Sequence, residues 1–215
     1  LKTFWTGTAD QMADLTTAAY KAIKSISPGT AVIAASSTTR LFGSVKNFFG
    51  PYAAAVKKQG YPIDGWTIHT YPAGNQGPAD RYQKILEWQG VLKNATDNDP
   101  AAMAKQVWDT EINYGLAGPG AIPKTDFDAN GSSQYVARTF VDSQRLGIDA
   151  TFWYMWTASS FSLLGIQMFT GTTPSITAYN TTRSWLVGAT FKGCDTDGNV
   201  LKCFFTKNGE AFFLG

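Results

Sequence analysis

Strand patterns alternate with amphipathic helix patterns through most of this chain of 215 residues. Helical spacing of apolar residues occurs at about 8–25, 48–59, 79–93, 133–146 and 176–186, and Thr8 or Asp10 can cap the first of these helices. Short runs of strand character occur at 31–35, 65–71, 106–115 and 150–156. This alternation predicts βα units on a parallel sheet, because each helix carries the chain back to the edge where the next parallel strand starts. The predicted fold class is therefore α/β.

Four such units make half of an eight-stranded (β/α)8 barrel of the TIM type. We predict that residues 1–187 form the second half of this barrel, strands five to eight, because the chain opens on a loop before a helix as though a strand had just ended. Half a barrel leaves two open sheet edges, which pair readily with other strands. The missing half is therefore expected upstream of Leu1, in another chain or in a self-associated copy. The start at Leu1 and the unfinished strand pattern at Gly215 predict that both ends are cut or processed.

The character of the sequence changes after Val187, where alternating apolar and polar residues predict a small antiparallel β appendage over 188–215, such as the start of a β-sandwich. Cys194 and Cys203 flank the turn sequence 195–199, which predicts a hairpin closed by a disulfide. A disulfide indicates an oxidising compartment and hence a secreted protein. The alternative is a pair of reduced thiols in a cytosolic hairpin.

The charge balance narrows the choice of partner. Lys plus Arg is 18 and Asp plus Glu is 16, a formal charge of +2, without the basic stripe that nucleic acid or an anionic membrane surface requires. The apolar runs are all shorter than the roughly 18 residues of a membrane span. Aromatic residues make up 14% of the chain, which suits stacking on sugars as well as an ordinary aromatic core. The expected ligand is neutral.

Glu111 stands at the exit of the third strand pattern. Active sites of parallel barrels form at the carboxyl edge of the strands, so an acid at this place indicates catalysis, and the alternative is a solvated glutamate at a strand end. Strict alternation along the strand predicts that Asp109 and Glu111 share one face while Trp108 and Thr110 share the other.

Polar and aromatic residues also end the neighbouring strand patterns. His69, the single histidine, and Tyr71 share a face at the end of the second, and Phe152, Tyr154 and Trp156 share a face at the end of the fourth. Each of these residues alone fits a packing role. Histidine, tyrosine, glutamate and tryptophan on three successive strand ends fit packing poorly, which favours one site at the barrel mouth.

The sequence lacks the motifs of other common kinds of functional site. One histidine cannot build a His-rich zinc site, and the sequence contains no Cys-x-x-Cys pair, no phosphate-binding Gly-x-x-x-x-Gly-Lys-Ser/Thr loop and no Gly-x-Ser-x-Gly elbow. We therefore expect neither a metal nor a cofactor.

With these motifs the chain resembles the clan of retaining glycoside hydrolases built on (β/α)8 barrels, and in particular its cellulase-like and β-xylosidase-like or iduronidase-like members. The resemblance covers about residues 1–187. The sixth strand of the clan carries His-x-Tyr, which matches His69-Thr70-Tyr71. The seventh ends in Thr-Glu, which matches Thr110-Glu111, and the eighth ends in a tryptophan, which matches Trp156.

The resemblance implies a role for each of these residues. Glu111 would be the nucleophile that forms a glycosyl-enzyme intermediate, Tyr71 would donate a hydrogen bond to it, and His69 would bind a sugar hydroxyl or the catalytic network. Trp156 would stack on the sugar beside the scissile bond. The implied substrate-binding residues are Trp156, Trp5 and Asn113.

One departure from the clan bears on function. Its general acid/base glutamate follows an asparagine at the end of the fourth strand, upstream of a Phe-Trp-Thr-Gly-like loop that matches residues 4–7. The acid is therefore expected before Leu1. The leading hypothesis is a secreted retaining glycosidase that cleaves a polysaccharide or glycoside by double displacement. The alternative is a non-catalytic carbohydrate-binding or structural half-barrel of a larger cell-surface or phage assembly.

Overall fold

The computed structural model describes residues 5–171, 173–198 and 200–215. Phe4 of the Phe-Trp-Thr-Gly loop and Asn199 of the predicted hairpin turn lie outside these residues. The elements up to the third sheet strand are α1 (Ala9–Ile26), β1 (Ser37–Thr38), a 3₁₀ turn (Thr39–Leu41), α2 (Phe42–Ser44), a π-helical segment (Val45–Phe49), α3 (Gly50–Lys58), β2 (Gly65–His69), α4 (Pro78–Ala95), α5 (Pro100–Met103) and β3 (Gln106–Ile112). The later elements are α6 (Ala129–Arg145), β4 (Ala150–Trp153), β5 (Trp156–Thr157), β6 (Met168–Phe169), α7 (Thr173–Leu186), β7 (Thr190–Asp197), β8 (Val200–Lys207) and β9 (Glu210–Leu214).

Strands β1 to β4 form one parallel sheet in chain order. β2 pairs along its length with β3, from Gly65 opposite Gln106 to His69 opposite Glu111, and β3 pairs with β4. Helices connect the strands: α3 lies between β1 and β2, α4 between β2 and β3, and α6 between β3 and β4. The predicted α/β fold with half-barrel strand order is confirmed.

The helices follow the predicted pattern closely. α1 starts at a capping box, in which Thr8 Oγ1 accepts from the Gln11 amide at 3.1 Å and Gln11 Oε1 accepts from the Thr8 amide at 2.8 Å. Of the two predicted caps, Thr8 or Asp10, the structure uses Thr8. Across the described helices, none combines the length and apolarity needed to cross a membrane.

The largest core lies between the helices and one face of the sheet. Trp66 and Ile68 of β2 are fully buried there, and Trp66 Nε1 donates to the Ala102 carbonyl at 3.0 Å. Phe49 stacks on Trp88 of α4 with ring centroids 5.0 Å apart. Burial of such large side chains stabilises the fold by about 1.5–3 kcal/mol each. This layer fixes β2 against α4.

Hydroxyl groups line the opposite, inner face of the sheet. Thr67 points away from the Trp66 side. Ser36 Oγ donates to Thr67 Oγ1 at 2.6 Å and lies 3.1 Å from Thr110 Oγ1, and Thr67 donates in turn to the Ala34 carbonyl at 2.8 Å. These bonds link the segment before β1 to β2 and β3.

The first strand differs from the prediction over 31–35. In that segment Ile33 forms an isolated bridge opposite Gly65, and regular parallel pairing begins later, where Ser37 lies opposite Ile68. A polar residue can enter the sheet here because the buried Ser37 hydroxyl accepts a hydrogen bond from Trp88 Nε1 at 3.2 Å. The apolar run 31–35 therefore predicted where this strand lies in the fold. It did not predict which residues pair, since these are Ser37 and Thr38.

The fourth strand is shorter than the predicted segment 150–156. β4 ends at Trp153, and Trp156–Thr157 pair instead with Met168–Phe169. The ring of Phe152 packs on the inner-face Trp108, whereas Trp156 packs on α7. The prediction that Phe152 and Trp156 share a face is therefore wrong, because regular alternation stops after Trp153.

A three-stranded antiparallel sheet in the order β7-β8-β9 follows α7. Cys194 and Cys203 lie opposite each other and form the predicted disulfide. One face of the sheet packs on α6, where Val141 belongs to the same buried cluster as Cys203 and Phe205. The proposed division of the chain after residue 187 falls in the connection between α7 and β7, and it remains a prediction.

Candidate functional site

Glu111 lies at the carboxyl end of β3, opposite His69 at the end of β2. Its side chain is 35% exposed, so the carboxylate contacts its neighbours and can still be reached from solvent. The carboxyl edge of a parallel barrel sheet is where its catalytic groups assemble. The other two glutamates of the chain, Glu87 and Glu210, are exposed on a helix and at a strand end. Glu111 is the glutamate that the fold places at the barrel mouth.

A β-bulge turns Glu111 to that position. The pairing of β2 with β3 passes from Ile68 opposite Asp109 to His69 opposite Glu111, so that Thr110 is an extra residue on β3. Thr110 faces the inner side, and Asp109 is fully buried on the helix side. The prediction that Asp109 and Glu111 share one face is therefore wrong, because the extra residue reverses the alternation beyond it.

Tyr71 and His69 both approach the Glu111 carboxylate. Tyr71 Oη donates to Glu111 Oε2 at 3.0 Å, the hydrogen bond that the resemblance implied. His69 Nδ1 lies 3.4 Å from the same oxygen. The imidazole and the phenol ring stand edge to face, with centroids 6.5 Å apart. One carboxylate oxygen is thus shared by two potential donors.

The surroundings of Tyr71 keep its phenol protonated. Burial raises the pKa of Tyr71, and the negative charge of Glu111 and the hydrogen bond to it raise that pKa further. A protonated phenol next to an ionised carboxylate can only donate, so the direction of this bond is fixed. A donor of this kind stabilises the charged form of the acid and restricts its rotation.

Asn113 does not lie in the cleft as a sugar-binding residue. The side chain is fully buried, and its amide nitrogen donates to the carbonyls of Tyr154 at 2.6 Å and Ile166 at 2.9 Å. Its oxygen accepts from the amides of Tyr114 and Ile166. Because all its polar atoms are engaged by backbone groups, the predicted substrate-binding role is corrected to one of holding two segments of the mouth together.

The two predicted tryptophans contact α7 and the start of α1. Trp156 is about half exposed, at 49%, and packs edge-on against Tyr179 of α7 with centroids 5.4 Å apart. Trp5 donates from its indole nitrogen to the Thr8 carbonyl at 3.2 Å, at the start of α1. Tyr154 occupies the place expected for a ring at this strand end, because it stands edge-on to Tyr71 at 6.4 Å.

Two residues at this mouth, Tyr154 and Arg40, were not predicted for the site. Arg40 follows Thr39, whose hydroxyl donates to the Tyr71 carbonyl at 3.2 Å, and Arg40 Nε donates to the Gly118 carbonyl at 3.4 Å. Burial lowers the pKa of Arg40, and proximity to Tyr71 acts in the opposite direction. No sequence motif marks Arg40. Alternation along the strand pattern placed Tyr154 on one face with Trp156, but the sugar contact was assigned to Trp156.

Within the described parts of the chain, His, Cys, Asp and Glu side chains nowhere gather in a group of three that could hold a metal ion. The groups at the mouth are a carboxylate, a phenol and an imidazole, which suit acid, base or nucleophilic chemistry.

The chain shares its fold with barrels of known glycoside hydrolase structures. A family 39 glycoside hydrolase from the gut symbiont Bacteroides cellulosilyticus matches 93% of this chain with a TM-score of 0.61 at 20% identity. A glucosidase from Croceicoccus marinus matches 95% with a TM-score of 0.62 at 17% identity. An α-L-arabinofuranosidase from Thermotoga maritima matches 97% with a TM-score of 0.56 at 13% identity. No model of a protein family matches the sequence, and the search of curated proteins gives no match.

The chain spans less than half of each of these structures, 42%, 45% and 42% of their lengths. Four parallel strands in chain order with helices between them account for this share of a (β/α)8 barrel. The likeness establishes the fold: a partial barrel of the kind found in glycoside hydrolases, followed by an antiparallel sheet.

Proposed function

We propose that this chain is the second half of a retaining glycoside hydrolase in which Glu111 is the nucleophile. The observation that carries the proposal is the hydrogen bond of 3.0 Å from Tyr71 Oη to Glu111 Oε2 at the carboxyl edge of the parallel sheet. The alternative, that Glu111 is only a solvated glutamate at a strand end, explains neither the buried phenol that donates to it nor the bulge that turns it to the mouth. The fold shared with glycoside hydrolases adds support from an independent side.

The chemistry follows from two carboxyl groups on either side of a glycosidic bond. The ionised Glu111 attacks the anomeric carbon as the leaving oxygen takes a proton from an acid, which forms a covalent glycosyl-enzyme. Water activated by the same acid, now a base, then releases the sugar with its original configuration. In retaining enzymes the two carboxyl groups lie about 5–5.5 Å apart.

The neighbours of Glu111 have distinct parts in this scheme. Tyr71 orients the carboxylate and lowers its freedom to rotate. His69 binds a sugar hydroxyl or donates from Nδ1 to the Glu111 oxygen that Tyr71 also binds. Tyr154 presents a ring beside Tyr71, so we place it rather than Trp156 next to the scissile bond. Trp156 and Trp5 are proposed only as outer contacts to longer substrates.

The general acid belongs to the other half of the barrel, which we propose as the partner that completes the site. Both β1 and β4 are edge strands of the described sheet, so the remaining strands have two places to pair. The substrate is a neutral carbohydrate, and the scheme needs no cofactor. The disulfide between Cys194 and Cys203 supports an extracellular location.

The test is turnover by the protein that contains this chain together with the rest of the barrel. Glu111→Gln is expected to lower the hydrolysis of activated aryl glycosides, screened as a panel, by about 10³-fold or more while substrate binding persists. Glu87→Gln, an exposed glutamate of α4, is the matched control and should keep full activity. Unchanged turnover by Glu111→Gln would remove Glu111 from the mechanism. Binding of sugars without turnover by the wild type would favour the carbohydrate-binding alternative.

A further inference from the structure

A buried ion pair lies directly behind the Glu111 site, on the helix side of the sheet. Arg81 of α4 and Asp109 of β3 are both fully buried, with Arg81 Nη2 2.8 Å from Asp109 Oδ2. Removing two charges from water is costly, and such a pair need not add stability over an apolar pair of the same size. Stability alone therefore does not explain why the Arg81–Asp109 pair is buried behind the site.

The Arg81 guanidinium bonds to several elements at once. It donates through Nε to Thr70 Oγ1 at 2.8 Å, just beyond β2, and through Nη2 to Asp109 of β3. It also donates to the Thr139 carbonyl at 3.2 Å and to Ser143 Oγ at 3.0 Å, both on α6. Five donors in a rigid plane make arginine suited to such a junction. Arg81 thus fixes the ends of two strands against two helices.

Thr70 connects this junction to the site. Its hydroxyl donates to Asp109 Oδ2 at 2.5 Å, and its backbone amide donates to the Glu111 carbonyl at 3.1 Å. Thr70 stands between His69 and Tyr71 in the chain, and successive side chains of an extended segment alternate between its two sides. The Thr70 side chain therefore points to Arg81, and the side chains of His69 and Tyr71 point to the opposite side, at the mouth. Whatever holds the Thr70 side chain also sets the positions of its two neighbours.

Asp109 anchors β3 immediately before the bulge at Thr110. Its Oδ2 takes the bonds from Thr70 and Arg81, and its Oδ1 has no hydrogen-bond partner among the described residues. Burial raises the pKa of Asp109, and Arg81 and Thr70 oppose that change. A slip of one residue in β3 would exchange the faces of Asp109 and Glu111. The two bonds to Oδ2 oppose such a slip.

We propose that Arg81 is a positioning residue, which sets the distance between the Tyr71 phenol and the Glu111 carboxylate by binding Thr70 and Asp109 together. This inference rests on the proposed function for its effect on catalysis. Its geometric content, the distance between the phenol and the carboxylate, can be measured without any activity.

Thr70→Val tests the inference, because it removes the hydroxyl between Arg81 and Asp109 and keeps the shape of the side chain. In the protein with the complete barrel, we expect kcat to fall about 10- to 100-fold while KM changes less than about threefold, as for a misplaced catalytic group. Thr70→Ser, which keeps the hydroxyl, should restore kcat.

The matched control is Thr96→Val, which removes another fully buried hydroxyl, bonded to the Leu92 carbonyl at 2.8 Å at the far end of α4. It should lower thermal stability without changing kcat or KM. If Thr70→Val does not fold, Ser143→Ala carries the test, since it removes one acceptor of the Arg81 guanidinium. A fall in kcat of severalfold at constant KM supports the proposal, and an unchanged kcat overturns it.

A crystal structure of Thr70→Val separates this proposal from the proposed function. A distance from Tyr71 Oη to Glu111 Oε2 beyond hydrogen-bonding range supports the positioning role. An unchanged distance near 3.0 Å overturns it, whatever the activity of Glu111→Gln. Loss of activity in Glu111→Gln together with an unchanged distance in Thr70→Val would overturn the positioning role alone. Full activity of Glu111→Gln would overturn the proposed function alone.

Discussion

Asp109 and Glu111 are two residues apart in β3, yet their side chains leave the sheet on opposite sides. Asp109 bonds to Arg81 among the helices, and Glu111 bonds to Tyr71 at the mouth of the half-barrel. The extra residue Thr110 separates them in the pairing with β2. Bulges occur next to active sites because they re-aim a side chain without ending the strand. The placement of the proposed nucleophile therefore depends on a local irregularity of β3.

Loss of the Tyr71 hydroxyl should slow the proposed reaction. A hydrogen bond to a charged group contributes about 1.5–3 kcal/mol, so Tyr71→Phe is expected to lower kcat/KM about 10- to 100-fold. The control is Tyr61→Phe, which removes another bond from a phenol to a carboxylate, 2.9 Å from Asp99 and outside the site. Steady-state kinetics on an activated glycoside check the effect. Equal rates for the two variants would contradict a role of the Tyr71 phenol.

The raised pKa of Tyr71 has a consequence for stability in alkaline solution. An unfolded chain loses the phenol proton near pH 10, whereas the folded protein keeps it, because burial and Glu111 raise the Tyr71 pKa. The stabilisation is complete below pH 10 and declines by up to about 1.4 kcal/mol per pH unit above it. In urea unfolding between pH 9 and 11, Tyr71→Phe should show a shallower decline than the wild type. Parallel declines would mean that Tyr71 ionises normally in the fold.

Asn113 is expected to matter for stability and for the shape of the mouth. Asn113→Ala leaves the buried Ile166 carbonyl and the part-buried Tyr154 carbonyl without their donor, at a cost of about 1–3 kcal/mol for a buried unsatisfied group. Thermal unfolding measures the loss, with the exposed Asn94→Ala as the control. A direct sugar contact would instead raise KM and leave the unfolding temperature unchanged.

The disulfide should stabilise the appendage. Replacing Cys194 and Cys203 by alanine is expected to cost about 2–3 kcal/mol, because the bridge closes a short loop in the unfolded chain. Hydrogen exchange followed by mass spectrometry should show faster exchange in β7 to β9, with β2 and β3 unchanged as the internal control. Equal exchange of β7 to β9 with and without the bridge would show that the sheet does not depend on it.

Local signals predicted much of this fold and part of the site. The Thr8 cap, the helix spacing and the alternation that puts His69 and Tyr71 on one face all depend on residues close in sequence, and the structure contains them. Their neighbours in the chain decide these features, so no tertiary information was required.

The features that sequence reasoning missed depend on distant contacts. The bulge at Thr110 exists only in the pairing of β3 with β2, and period-two alternation cannot show it. Asn113 is buried by segments 41 and 53 residues further along the chain. Trp156 was assigned to the wrong surroundings because β4 ends at Trp153, a termination that depends on the separate pairing of β5 with β6.

Covalent trapping tests the central claim most directly. The protein that contains this chain and the rest of the barrel is incubated with activated 2-fluoro glycosides, which slow release of the glycosyl-enzyme, and is then digested and mapped by mass spectrometry. We predict a single glycosyl label on Glu111, absent in Glu111→Gln and present in Glu87→Gln. A label on another carboxylate, with Glu111 unmodified, would contradict the account.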